Sequence, residues 1–116
     1  MRDVRCMELN IHYEARGESD IGKKAVALVT ANRAKSKKFP SDICSVVYQP
    51  GQFSWVKQFP NHHKTKVSPR ITQIAIETLT NKYHDVTRGA LYFNTTTIEP
   101  FNKQVVATIG NHRFYR

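Results

Sequence analysis

The stretch Leu9 to Ser19, LNIHYEARGES, decides how this chain is read. Just before and within it, Val4, Met7 and Ile11 recur at helical spacing, which predicts a first helix from about Asp3 to Ala15. Gly17 is a natural terminator just beyond. Continuing the apolar stripe three residues past Ile11 lands on Glu14, so a carboxylate falls on the buried face near the C-terminal end of the helix. Burial and the negative end of the helix dipole both disfavour its charged form. A raised proton affinity is what a general acid near neutral pH requires. The plainer reading is a glutamate that is exposed, or paired with Arg16 or Lys24. Glu18 falls after the helix end, where it would favour the dipole or cap of the next helix.

Working outward, Ser19 or Asp20 caps a second helix in which Ile21, Ala25, Leu28, Val29 and Asn32 share a face. Ser41 caps a short helix through Tyr48, and PGQFSW reads as a turn entering a short extended segment. FPNHHKTK has no periodicity and reads as a basic surface loop. Ser68 followed by Pro69 starts another helix, with Ile71, Ile74, Ala75, Thr78 and Leu79 on its apolar face, running to about Tyr83. The character then changes. GALYFN and VVATIG favour strands, and Gly110-Asn111 turns the chain into HRFYR. A helical N-terminal part followed by a small antiparallel sheet is α+β, and 116 residues suit one domain, 1–116.

Composition narrows the partners. Hydrophobic residues make up 40% of the chain, enough for a folded core. Eighteen Lys and Arg against nine Asp and Glu give a formal charge of +9, which favours an anionic partner such as an acidic cell envelope or nucleic acid. No apolar run is long enough to span a bilayer, and the N-terminus lacks the uninterrupted apolar segment of a secretory signal. Cys6 and Cys44 form no CxxC pair; one disulfide is open to them, but two buried thiols are the expectation for a chain without such a signal. His62 and His63 have no carboxylate cluster beside them and read as an exposed loop, so no metal site is expected.

The blocks LNIHYEARGES, GKKAVALVTANRAKSKKFPSDICSVVYQPGQFSW, GALYFN and VVATIGNHRFYR together resemble the SleB-type cell wall hydrolases, the spore cortex-lytic enzymes and their phage relatives. The resemblance covers nearly the whole chain and is weaker from Lys57 to Thr87. It implies a compact lysozyme-like (lytic transglycosylase-like) α+β domain acting on peptidoglycan glycan strands, without metal or organic cofactor. It also implies that Glu14, the first glutamate of EARGE, is the catalytic acid of a lytic transglycosylase cleaving between N-acetylmuramic acid and N-acetylglucosamine. Hydrolysis by a lysozyme-type route would need a second carboxylate, for which Glu18 is the candidate. Gln52, Phe53, Ser54, Tyr92 and Asn94 are the implied substrate-binding positions. Trp55 is a further aromatic there, and core packing is the plainer reading for Phe53, Trp55 and Tyr92. His112 is read as structural, fixing the final turn.

The chain departs from the resemblance at Gly51, where many relatives have cysteine, and at NTTTIEPF, where a His and a PPW-like run are common. A lone cationic module points to a monomeric phage endolysin, made in the host cytoplasm and acting on the wall after holin-assisted release. The rival readings are a hydrolytic muramidase, a peptidoglycan-binding protein without catalysis, and a basic nucleic-acid-binding module. Against the last, no helix-turn-helix, zinc or RNA-binding signature is present, so no specific nucleic-acid partner is expected.

Overall fold

The computed structural model describes residues 2–116. Helix α1 (Arg2–Ala15) buries Cys6, Met7, Leu9, Ile11 and Ala15. Helix α2 (Asp20–Lys35) starts where Ser19 accepts a hydrogen bond from the Gly22 N–H. It is the central helix, touching α1, the short α3 (Ile43–Val47), α5 (Pro69–Leu79) and two strands. That setting corrects its predicted face. Ile21 is 47% exposed, whereas Val26, Ala27, Thr30 and Arg33 join Ala25, Leu28 and Val29 in the interior. A helix surrounded on most sides buries a wide arc rather than a narrow stripe.

Asp42, rather than Ser41, caps α3, accepting the Ser45 N–H at 2.8 Å. PGQFSW turns into a short helix, α4 (Trp55–Gln58), instead of an extended segment. The reason is Trp55. Its indole Nε1 donates to the buried Asn10 Oδ1 at 2.9 Å, and the Asn10 amide in turn donates to Thr30 Oγ1 at 3.2 Å. Drawing this indole into the core closes the following turn, with Phe59 N–H donating to the Trp55 carbonyl. The basic loop contains one 3-10 turn, His62–Lys64. Ser68 caps α5, which ends at Leu79, before the expected Tyr83, because Asn81 adopts a left-handed φ of 59°.

Strands β1 (Tyr92–Thr95), β2 (Val105–Ile109) and β3 (His112–Tyr115) form an antiparallel sheet in the order β1-β3-β2. Gly110, at φ 56°, supplies the predicted β2–β3 turn. Two buried clusters meet at α2. The larger joins α1, α3, α5 and Trp55, and the smaller holds Ala15, Val26, Val29, Ala90 and Phe114 beneath the sheet. Among the described residues, no helix is long and apolar enough to cross a membrane.

The expectation of two free thiols is corrected: Cys6 of α1 and Cys44 of α3 form a disulfide. Packing α3 on α1 brings their Cα atoms to 5.3 Å, within disulfide range. The bridge closes a loop of 38 residues, which loop-closure entropy values at about 4 kcal/mol. Replacing both cysteines by alanine is therefore expected to lower unfolding free energy by roughly that amount, measured by urea titration. Reductant should shift the wild type towards the double variant and leave the variant unmoved.

Candidate active site

The last turn of α1 and the segment running from the end of α3 through α4 enclose a groove of about 820 Å³. Glu14 forms one wall; Tyr48, Gln49, Gln52, Phe53, Ser54, Val56 and Lys57 are among the others. The stripe Val4, Met7, Ile11 thus delivers Glu14 to the edge of the core, where it is partly buried. Burial raises its proton affinity above the usual glutamate value, and the cation of Arg33 on α2 opposes this without cancelling it. Among the described residues Glu14 is the one carboxylate in the walls of this groove.

The remaining predicted positions divide. Gln52 and Ser54 are exposed and line the groove; Phe53 lines it too, although it is only 7% exposed. Trp55 is core, held by Asn10. Tyr92 and Asn94, on β1, are not in the groove's walls. Tyr92 is partly buried, with Lys103 Nζ 4.4 Å from its ring centre. Asn94 is occupied inside the sheet: its Nδ2 donates to the Glu99 carbonyl, and its Oδ1 accepts from Tyr115 at 2.8 Å.

Glu18 is likewise absent from these walls. Its Oε1 accepts the Asn111 N–H at 3.0 Å and its Oε2 accepts from Asn111 Nδ2 at 3.2 Å. A Cβ on Gly110 would meet the same carboxylate, the far end of a side chain that can move aside, so it is the positive φ that favours glycine there. The Asn111 hydrogen bonds hold the Glu18 carboxyl below the usual glutamate range. His112 is buried beside it, with Nδ1 3.8 Å from Glu18 Oε1; burial lowers its proton affinity against the pull of Glu18. The candidate second carboxylate of a hydrolytic route is instead a clamp on the β2–β3 turn, and the buried His112 lies beside it.

Sequence reasoning missed Arg33. It reads as one more cation in NRAKSKK, yet it is 4% exposed and reaches Gln52. Its spacing was a usable signal, since Val26, Val29 and Thr30 lie seven, four and three residues ahead on the same helical face. Tyr48, Gln49 and Lys57 are also groove residues that no motif singled out.

Comparison with solved structures places this fold. The chain superposes on the catalytic domain of the Bacillus cereus SleB protein with a TM-score of 0.86 at 24% identity, covering 98% of this chain and 89% of that one. It superposes on the catalytic domain of the germination-specific lytic transglycosylase SleB from Bacillus anthracis with a TM-score of 0.87, also at 24% identity, covering 100% and 95%. The α+β architecture is thus the SleB catalytic-domain fold. At the level of sequence, the Cell Wall Hydrolase family matches residues 17–115, and the chain belongs to that family. Glu14 lies just ahead of the matched span. Spore cortex-lytic enzymes from Halalkalibacterium halodurans and Bacillus cereus are 29% and 28% identical over 97% of this chain. The chain spans 34% and 43% of their respective lengths.

The Glu18 clamp makes a signed prediction. Because its folded carboxyl is depressed, the stability it contributes is present above the ordinary glutamate value of 4.5 and is lost as pH falls through the lower folded value. Glu18→Gln is expected to destabilise at pH 7. The gap from wild type in thermal unfolding should narrow as pH drops below 4.5.

Proposed function

We propose that this chain is a peptidoglycan-cleaving lytic transglycosylase in which Glu14 acts first as general acid and then as general base. The observation that carries the proposal is the lone groove carboxylate whose proton affinity burial has raised, in a chain of the cell wall hydrolase family. A protonated Glu14 donates to the glycosidic oxygen between N-acetylmuramic acid and N-acetylglucosamine as positive charge develops at the anomeric carbon. The resulting carboxylate, eased by the Arg33 cation, then takes the proton of the muramoyl 6-hydroxyl as that oxygen attacks the same carbon. The products are a 1,6-anhydro end and a free 4-hydroxyl, and Glu14 finishes protonated.

One carboxylate suffices for this route, because the nucleophile belongs to the substrate. Hydrolysis by the two-carboxylate route needs a second acid on the opposite side of the scissile bond, roughly 5–9.5 Å away. The commitment of Glu18 to Asn111 argues against that route. Gln52 and Ser54 would meet sugar hydroxyls or acetamido groups, and the +9 charge would favour capture by an anionic envelope. The proposed setting is a phage endolysin reaching the wall by holin-assisted release; the cationic composition is the feature that suits it.

Incubating wild type and Glu14→Gln with purified peptidoglycan tests the chemistry. Mass spectrometry should find anhydromuropeptides from the wild type, and the glutamine variant should be slower by roughly 100- to 10,000-fold. The acid must be protonated, so kcat/KM should fall as pH rises through the raised value of Glu14, giving a limb above 4.5. Reducing ends instead of anhydro ends would mean hydrolysis. No fragments, together with salt-sensitive binding to nucleic acid, would overturn the enzymatic reading.

A further inference from the structure

Arg33 is a guanidinium inside the fold with no salt bridge among the described residues. Its Nε donates to the Leu91 carbonyl at 2.7 Å, and its Nη1 donates to Gln52 Oε1 at 3.3 Å. The rings of Phe39, Phe53 and Tyr92 lie 4.8, 5.2 and 5.6 Å from its guanidinium carbon and hold it in place. Glu14 from α1 and Tyr92 from β1 are the titratable groups that face it. Gln52, by contrast, is an exposed groove wall.

A guanidinium carries five donors and no acceptor, so a glutamine bonded to it must turn its amide oxygen inward. The NH2 end is then the end left for the groove. We propose that Arg33 is a positioning residue that presents Gln52 as a fixed hydrogen-bond donor, and that this donor recognises the acetamido carbonyl of an N-acetylated sugar. The inference rests on the saccharide reading given above and deepens it to one substituent. Phe53 and Val56, walls of the same groove, offer apolar surface to the acetyl methyl. An amide free to rotate would present its oxygen as readily, and two acceptors would then face each other. Arg33 removes that alternative while staying out of contact with the substrate.

The test measures binding, so that it does not depend on cleavage. In a Glu14→Gln background at pH 7, calorimetry would compare soluble glycan strands with the same strands after chemical N-deacetylation. The parent is expected to prefer the acetylated strands. Gln52→Met, which changes an exposed side chain and no charge, should cut that preference about three- to tenfold, the worth of one hydrogen bond. Arg33→Met should cut it similarly, and adding it to Gln52→Met should change it no further, because one residue acts through the other. Arg33→Lys, which keeps a donor towards Gln52, should recover part of the preference.

An unchanged preference in Gln52→Met overturns the inference, as does an Arg33→Met effect of equal size in the Gln52→Met background. Should Arg33→Met fail to fold, Gln52→Met and Arg33→Lys decide the matter. Failure of the parent proposal reads differently. Acetyl preference lost in Gln52→Met, from a chain whose wild type cleaves no peptidoglycan, supports the donor and ends the lytic reading. Anhydro products alongside an unmoved preference end the donor and leave the lytic reading standing.

Discussion

The amide of Asn10 is the constraint on which the groove depends. It is fully buried, accepts from the Trp55 indole and donates to Thr30, and so joins α1, α2 and α4 through one side chain. An unpartnered polar group at such a depth costs about 1–3 kcal/mol, so the three elements are held to positions that satisfy all its bonds. Trp55 reinforces the arrangement by stacking on Tyr13, at 4.9 Å between ring centres. Tyr13 precedes Glu14 on the same helix. The core tryptophan between the wall residues Ser54 and Val56 is therefore seated against the helix that carries Glu14.

The groove's electrostatics follow from that packing. Glu14 emerges where α1 leaves the core, so it loses water without gaining an ion pair, and its proton affinity rises above that of an ordinary glutamate. Arg33 lies close enough to ease the charged state when Glu14 gives up its proton, yet makes no salt bridge that would fix it as a carboxylate. An acid that later serves as base needs both states within reach. The same cation donates to Gln52, so under the proposed function proton chemistry and substrate recognition would meet at one buried side chain of the central helix.

The second glutamate of EARGE has a contrasting role because the chain turns between the two. Gly17 and Ser19 end one helix and begin the next, and Glu18 projects from that corner to the β2–β3 turn. Its two hydrogen bonds from Asn111 tie the β2–β3 turn to the helical part. The Cys6–Cys44 bridge ties α3 to α1. Anchors on both α1 and the α1–α2 corner leave the groove between fixed elements.

Much of this was legible in sequence because it is local. Helical spacing placed α1 and led to Glu14; Ser19, Ser68 and Pro69 marked helix starts; Gly110-Asn111 marked the turn between strands. Each depends on backbone geometry and near neighbours, which leave periodic or positional traces. Tertiary structure alone decided the rest. Asn111 is 93 residues from Glu18, Trp55 is 45 from Asn10, and Cys44 is 38 from Cys6. Helical spacing sets Arg33 on the face of Val26, Val29 and Thr30, but packing alone gathers Leu91, Gln52 and three rings around it. Hydrogen bonds and charge interactions between residues so far apart in sequence have no period along the chain, and only packing determines which of them form.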